Sequence, residues 1–352
     1  MEFLYEYGLF LAQAVTLVAA ILILVTGLVA VGQRNKADQH EGQIEIRNLN
    51  EKYEHMREQL QAVITEPDAL KSERKAKKKQ DKAEAKAAKK AAKSSEEDKE
   101  QRKRLFVMNF DGDIKASASD NLREEISAVL NQVSEGDEVL VKLESPGGLV
   151  HGYGLAASQL QRIRDAGVPL TVAVDKVAAS GGYMMACVAN RIVAAPFAVI
   201  GSIGVLAQLP NFHRLLKKND IDFELFTAGE YKRTVTMFGE NTDKGREKFS
   251  EELEKTHDLF KSYVSQHRPQ LDISKVATGE VWYGQQAIDE GLVDELMTSD
   301  AFVQQHLKDW DVFDVRFVLK KNWQEKLGMA AEGALEKALL KIWQRGQGRP
   351  PL

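Results

Sequence analysis

The stretch "DKVAASGGYMMA" at residues 175–186 places Ser180 between two alanines and two glycines. Small neighbours give a substrate close access to a serine hydroxyl, and a serine nucleophile also needs a base and backbone N–H donors for the oxyanion. Gly181 supplies an N–H directly after Ser180, where a helix is predicted to begin. A serine that only caps a helix fits the same pattern. The stretch therefore allows two interpretations of Ser180, a nucleophile and a helix cap.

A second glycine-rich stretch, "ESPGG" at residues 144–148, is predicted to face Ser180. Each stretch follows an apolar run that is typical of a strand. If these strands are parallel neighbours, the two loops meet at the sheet edge where such folds bind ligands. Gly147 or Gly148 would then offer a second N–H for an oxyanion beside that of Gly181.

The base for such a serine has two candidates. His151 closely follows the "ESPGG" loop, so a Ser–His arrangement remains open. Lys232 lies in "TAGEYKRT" at residues 227–234, and a lysine becomes a base when burial favours its neutral form. Taken alone, Lys232 also fits an ordinary surface charge.

The elements that must position these residues begin at about residue 104, where short apolar runs alternate with helical segments. Strands are predicted at 105–110, 138–144, 170–175, 191–195 and 222–226, and helices at 121–133, capped by Asp120, and at 155–167, ending at Gly167. This alternation predicts an α/β fold with a parallel sheet covered by helices. The apolar run at 184–207 belongs to that core, because Asn190, Arg191 and Pro196 would be costly in lipid.

An uncharged apolar run at residues 9–31 is long enough to span a bilayer. The residues before it include no Lys or Arg, which argues against a cleaved signal peptide and favours a retained anchor. Arg34, Lys36 and Arg47 follow the run, so the charge rule places the bulk of the chain in the cytoplasm.

The segment after the predicted anchor is a charged linker. Ile46, Leu49, Tyr53, Met56, Leu60 and Val63 have heptad spacing, which fits a self-associating helix or an amphipathic helix lying on its own domain. Residues 71–93 hold eleven Lys/Arg and three Asp/Glu, a net charge of +8. No aromatic residue lies between these lysines, so no nucleic acid is expected as a partner, and attraction to anionic lipid is favoured.

The single cysteine of the 352-residue chain, Cys187, excludes an intrachain disulfide. Its apolar surroundings predict a buried packing thiol rather than a nucleophile.

Five motifs in one order, "ESPGG", "VAASGGYMMA", "GSIGV", "GEYKR" and "TGEVWYGQQAIDEGLVDE", resemble the signal peptide peptidase A family of bacterial membrane serine proteases over residues 104–300. The resemblance implies a ClpP/crotonase-like fold of ββα units and a Ser–Lys dyad without metal or cofactor. It implies Ser180 as nucleophile, Lys232 as base, and Ser202 as the residue that orients the lysine. The oxyanion donors would be Gly181 and Gly147 or Gly148.

The resemblance also implies a homo-oligomer in the bacterial inner membrane, acting on peptide or protein substrates. The family's catalytic domains face the periplasm, against the charge rule, so the membrane is predicted and its side left open. The predicted parts are a tail (1–8), an anchor (9–31), a charged, partly coiled-coil linker (33–103), a protease domain (104–300) and a C-terminal strand and amphipathic helix (301–352).

Two other functions fit parts of the pattern. An acyl-CoA enzyme of crotonase type would need an acidic base, for which Glu144 is the candidate in these loops. A non-catalytic membrane scaffold would need only the anchor, the linker and self-association, with Ser180 as a cap.

Overall fold

The computed structural model describes residues 42–65 and 102–319, together with Thr16 and Lys79 singly. The predicted anchor, the basic segment 71–93 and the C-terminal amphipathic segment 323–343 lie outside these ranges, apart from those two single residues. No helix among the described residues is long and apolar enough to cross a bilayer. The chain divides into two compact units, residues 45–316 and residues 1–44 with 317–352. The domain boundaries expected from the sequence therefore stay predictions.

Ten strands form two sheets in the described part of the chain. The larger sheet contains β1 (Gly42–Asn48), β2 (Arg104–Asp111), β3 (Glu138–Glu144), β4 (Leu170–Val174), β6 (Arg191–Ala194), β9 (Glu295–Leu296) and β10 (Asp311–Leu319). The smaller sheet contains β5 (Val177–Ala179), β7 (Val199–Gly201) and β8 (Val281–Tyr283). The orders are β1-β10-β2-β3-β4-β6-β9 and β5-β7-β8. All pairs from β10 to β9 are parallel, which confirms the predicted parallel sheet.

Nine helices accompany these strands in the described ranges. They are α1 (Leu49–Ile64), α2 (Ser119–Leu130), α3 (Val150–Asp165), α4 (Gly181–Ala186), α5 (His213–Lys218), α6 (Asp243–His267), α7 (Ile273–Val276), α8 (Gly284–Asp289) and α9 (Ser299–His306). Helix α2 packs on α3, and α3 packs on α4. The fold is therefore α/β, as predicted.

The core lies in the central strands. Every residue of β4 is buried, and β3 has four buried residues, with half-buried ones at positions 138, 142 and 144. Strands covered by helices on both faces read as nearly continuous apolar runs, which is why these two were recognisable in the sequence. The run 184–207 also lies largely in this core, as α4, β6 and β7, and Cys187 is fully buried as predicted.

The two predicted helices are present with shifted starts. Helix α3 begins at Val150 rather than at residue 155, because Gly152 does not break it. A Cβ at Gly152 would lie 2.7 Å from the carbonyl oxygen of Lys115, so the glycine allows a close approach between helix and loop. Helix α2 begins at Ser119, and Asp120 lies in its first turn instead of capping it. Gly167 follows the end of α3 with φ 75°, as predicted.

Two predictions about the remaining segments are wrong. Residues 222–226 form no strand, and the side chains of Phe223 and Leu225 are exposed. The heptad spacing does not run along one helix, since Ile46 lies in β1 and the helix begins at Leu49. The side chain of Asn50 bonds to the backbone of Leu307, Trp310 and Val312, so this part of the predicted linker belongs to the folded unit. Self-association through the rest of α1 stays a prediction.

A buried ion pair fastens the end of α6 to the sheet. Arg268, 3% exposed, makes two parallel 2.8 Å bonds to the carboxylate of Asp294, which also accepts the backbone N–H of Ile192. Burial alone would lower the pKa of Arg268, but the hydrogen bonds to Asp294 raise it on balance. Because the Arg268 side chain is almost fully buried, its charge depends on the Asp294 carboxylate for compensation.

We expect Asp294→Ala to lower the free energy of unfolding by about 3 kcal/mol, because a buried guanidinium loses its counter-charge. Thermal or chemical unfolding of the purified protein measures the change. Asp300→Ala is the matched control, since the Asp300 carboxylate pairs with Lys142 while mostly exposed, and its loss should be below about 1 kcal/mol. Equal losses in the two variants would contradict the role given to burial.

Candidate active site

Ser180 lies in a strained turn between β5 and α4. Its φ of 52° and ψ of −117° fall in a region that residues other than glycine rarely adopt. Two backbone bonds hold the turn, from Ser180 N to the carbonyl of Gly201 at 2.8 Å and from Met184 N to the carbonyl of Ser180 at 3.0 Å. Ser180 occupies the N-cap position of α4, but its side chain makes no capping hydrogen bond, so the hydroxyl is not used to cap the helix.

The "ESPGG" loop does meet the Ser180 turn, as predicted. Ser145 bridges in parallel to Ala178, with its N–H on the carbonyl of Val177 at 2.8 Å and its carbonyl on the N–H of Ala179 at 3.0 Å. Gly147, with φ 89°, lies directly against the turn. A Cβ on Gly147 would be 2.7 Å from the Gly181 nitrogen and 2.8 Å from the Ser180 Cβ, so only glycine fits.

The backbone N–H groups around Ser180 differ in their partners. The N–H of Gly147 donates to the Ser145 hydroxyl at 3.1 Å. Within residues 102–319, the N–H groups of Gly148 and Gly181 have no hydrogen-bond partner, and both residues line the cavity that Ser180 lines. Gly147 is buried whereas Gly148 is exposed. Two donors are therefore available beside the Ser180 hydroxyl, from Gly148 and Gly181.

A cavity of ≈ 410 Å³ opens beside Ser180. Its walls are mainly apolar side chains from α3, α4, the segment after β7, and one face of α6: Val150, Met184, Val205, Leu259, Phe260 and Tyr263. Burial raises the pKa of the Tyr263 hydroxyl, which therefore stays protonated near neutral pH. The cavity suits an uncharged side chain next to the serine.

None of the proposed bases contacts Ser180. In the part of the chain that the structure describes, no side chain forms a hydrogen bond with the Ser180 hydroxyl. His151 is exposed on the first turn of α3 and does not line the cavity. Glu144, the candidate base of an acyl-CoA enzyme, forms an ion pair with Lys176 at 2.8 Å and also does not line the cavity.

Lys232 lies on an exposed segment that we call the arm, residues 205–241 between β7 and α6. Val205, the first residue of the arm, lines the cavity. Lys232 lies further along the arm, where its side chain is exposed. Several apolar side chains of the arm are exposed too, including Leu206 at 79% and Phe226 at 86%. The structure therefore brings Ser180 together with Gly147, Gly148 and Gly181, and leaves Lys232 apart from them.

Ser202 lies beside the turn, and among the described residues it forms no hydrogen bond with Lys232. Strands β5 and β7 are parallel, with Ala179 opposite Gly201, so Ser180 and Ser202 are the next residues of the two strands. Ser202 also has a positive φ, 50°, and its N–H bonds to the carbonyl of Glu280.

Two buried hydroxyl groups under the site were not singled out from the sequence. Ser145 and Tyr153 are both fully buried, and their hydroxyl oxygens lie 2.6 Å apart. The Tyr153 ring occupies the space that a Cβ on Gly181 would need. Ser145 belongs to the "ESPGG" motif, whereas Tyr153 has no signal beyond its place on the inner face of α3.

The chemistry available elsewhere in the described ranges is limited. Burial raises the pKa of the Cys187 thiol, which agrees with a packing role. No group of His, Cys, Asp or Glu side chains among these residues could hold a metal ion.

Comparison with known proteins identifies the family. A model of the N-terminal region of peptidase family S49 matches residues 2–160, and the model of the peptidase matches residues 162–312. The chain is 52% identical over 332 residues to probable protease SohB of Haemophilus influenzae, with 94% of each chain covered. It is 53% identical over 245 residues to probable protease SohB of Buchnera aphidicola subsp. Acyrthosiphon pisum, covering 70% of this chain and 73% of the relative.

A mutant of a membrane-bound stomatin-specific protease in complex with a substrate peptide is similar in structure, with a TM-score of 0.40 and 13% identity. The match covers 64% of this chain and 96% of that one. The two family models together span most of the sequence, and the relatives above match at more than half of the aligned positions. The family expected from the five motifs is confirmed: the chain belongs to peptidase family S49 and is a serine-type endopeptidase.

Proposed function

We propose that this peptidase hydrolyses peptide bonds with Ser180 as nucleophile and Lys232 as general base, through an acyl-enzyme. The observation that carries the proposal is the strained turn, which places the Ser180 hydroxyl at an apolar cavity beside two unpaired backbone N–H groups. Strained backbone at a cavity is typical of catalytic residues. The N–H groups of Gly148 and Gly181 are the oxyanion donors in this proposal, and Gly147 is excluded because its N–H is already paired.

The reaction then proceeds in two halves. The neutral Lys232 amine takes the proton of the Ser180 hydroxyl while the oxygen attacks the peptide carbonyl carbon, and the negative charge moves to the carbonyl oxygen. The lysine ammonium gives its proton to the leaving amine as the C–N bond breaks. Water next attacks the acyl carbon, with its proton passing to Lys232 and then to Ser180 as the ester bond breaks. No group beyond the chain and water enters this scheme.

The position of Lys232 leads us to propose that it serves Ser180 of a second copy of the chain. Lys232 is exposed, and the arm that carries it also exposes large apolar side chains such as Leu206 and Phe226. An apolar surface of this kind favours burial against a partner. Burial of the arm would also remove the Lys232 amine from water, which favours the neutral form that a base requires. Ser202, next to Ser180, would accept a hydrogen bond from that amine.

We also propose a ClpP/crotonase-like fold for the peptidase and a location in the bacterial inner membrane. The succession β4, β5, α4 is a ββα unit, which supports a ClpP/crotonase-like fold. The apolar run at 9–31 supports a single-pass anchor in the bacterial inner membrane. Peptide or protein substrates, the lipid bilayer and further copies of the chain are the proposed partners. The acyl-CoA alternative is disfavoured because Glu144 is paired with Lys176 away from the cavity.

Ser180→Ala should abolish labelling by a fluorophosphonate probe and lower casein cleavage by more than about 10⁴-fold, because the nucleophile is lost. Lys232→Ala should also remove activity, while Lys217→Ala, which deletes another exposed lysine of the arm, should leave it unchanged. Gel-based labelling and casein cleavage on detergent-solubilised protein provide the measurements. Full activity of the Ser180 or the Lys232 variant would refute the dyad.

Mixing the two inactive variants tests whether the lysine comes from a neighbour. Co-expressed Ser180→Ala and Lys232→Ala chains should recover about a quarter of wild-type activity, because one site in four then combines a serine from one copy with a lysine from the next. Co-expression of the Ser180→Ala chain with a chain that carries both Ser180→Ala and Lys232→Ala is the control. This mixture contains no Ser180 and should recover no activity. Absence of recovery in the first mixture would show that Lys232 acts within its own chain.

The apolar cavity predicts a preference for an uncharged side chain at the cleaved bond. A Cβ on Gly154, which lines the cavity, meets no atom within 4 Å, so Gly154→Leu should narrow the cavity without a clash. We expect kcat/KM for peptides with phenylalanine before the cleaved bond to fall about 10-fold or more, and that for alanine peptides to change little. Fluorogenic peptides that differ only at this residue measure the ratio. An equal fall for both peptides would argue against the cavity as the binding pocket.

A further inference from the structure

Beneath the "ESPGG" loop, three hydrogen bonds form a single chain. The Gly147 N–H donates to the Ser145 hydroxyl at 3.1 Å, the Ser145 and Tyr153 hydroxyls lie 2.6 Å apart, and the Tyr153 hydroxyl donates to the carbonyl of Asp113 at 2.8 Å. A backbone N–H can only donate and a backbone carbonyl can only accept. Both hydroxyl protons are therefore fixed in direction, from Ser145 to Tyr153 and from Tyr153 to Asp113.

Both hydroxyl groups are removed from water. Ser145 and Tyr153 have no exposed surface, so each hydroxyl depends on its two partners in this chain. Burial raises the pKa of Tyr153, which keeps its hydroxyl protonated and able to donate. At the far end, the Asp113 carboxylate accepts the N–H groups of Lys115 and Ser117 and fixes the turn whose carbonyl is used.

Tyr153 touches both sides of the proposed oxyanion site. Its hydroxyl reaches the "ESPGG" loop through Ser145, and its ring fills the space beside the Gly181 Cα where a Cβ would overlap it. The Tyr153 side chain therefore fixes both how closely the start of α4 approaches α3 and the conformation of the "ESPGG" loop. The separation of the Gly148 and Gly181 N–H groups depends on both contacts.

We propose that Ser145 and Tyr153 are positioning residues of the peptidase, whose linked hydroxyls hold the Gly147 N–H away from the substrate and leave the Gly148 N–H, with that of Gly181, to bind the oxyanion. The inference rests on the proposed function of Ser180. Neither hydroxyl touches substrate, and both act through the backbone of the loop. A displacement of about 1 Å in such a group can lower a rate about 100-fold.

The test compares two Tyr→Phe variants of the full-length protein in detergent. Tyr153→Phe removes the linking hydroxyl and keeps the ring against Gly181. Tyr183→Phe is the matched control, since the Tyr183 hydroxyl is equally buried and donates to the carbonyl of Leu292 at 3.0 Å. Both variants lose one buried bond to a backbone carbonyl, and Tyr153→Phe also loses the bond from Ser145, so a purely structural role predicts lower stability in both variants with kcat kept in both.

We expect Tyr153→Phe to lower kcat about 10- to 100-fold with KM changed less than about threefold, as for an interaction made only in the transition state. The inhibition constant of a peptide aldehyde, whose adduct carries the oxyanion oxygen, should rise in parallel. Tyr183→Phe should lower the melting temperature but keep kcat. Ser145→Ala should match Tyr153→Phe, and the double variant should fall no further, because the residues act as one chain.

Several results would overturn the inference. A kcat for Tyr153→Phe equal to that of Tyr183→Phe, with Ser180→Ala inactive, would reject the positioning role and leave the proposed function intact. Turnover that survives Ser180→Ala would reject both proposals. If neither Tyr153→Phe nor Ser145→Ala shows a cooperative melt, the hydroxyl chain is a determinant of folding, and the positioning role is likewise rejected.

Discussion

The turn at Ser180 is the constraint on which the rest of the site depends. A serine held at φ 52° and ψ −117° costs about 1–3 kcal/mol relative to ordinary backbone. The structure offsets this cost by fixing the turn on both sides, with the Ser180 N–H on Gly201 and its carbonyl on Met184. Strand β5 is itself held between β7 and the bridge at Ser145. The result is a hydroxyl presented at a cavity by the rigid end of a strand.

This constraint explains why the residues around Ser180 are so small. A Cβ on Gly147 would lie 2.8 Å from the Cβ of Ser180, which is too close for a side chain. A Cβ on Gly181 would likewise overlap the ring of Tyr153. Close approach of three backbone segments requires glycine at each contact. The same approach brings unpaired N–H groups to one place, so the packing that permits the strained turn also creates the donors for an oxyanion.

The sequence predicted the parts of this arrangement that local pattern determines. Buried parallel strands read as apolar runs, and the two glycine-rich loops follow them, so the meeting of "ESPGG" with Ser180 could be derived. The strand at 222–226 was wrong because alternating apolar residues indicate a half-buried strand only where a partner strand exists, and Phe223 and Leu225 lie on the exposed arm. The role of Tyr153 depends on contacts 8 to 40 residues apart in the chain. No spacing rule within one segment can reveal such contacts.

The two halves of the proposed catalytic site, the oxyanion donors and the base, depend on different interactions. The oxyanion half is built from contacts within residues 102–319, through the turn, the loop and the hydroxyls of Ser145 and Tyr153. The base half depends on where the arm carries Lys232, whose neighbour Glu230 pairs with Lys244 of α6 rather than with any residue at the Ser180 turn. A serine without a base is a weak nucleophile. If Lys232 of a second copy is the base, a single copy holds a complete oxyanion site but little hydrolytic activity, and proteolysis is limited to assembled copies.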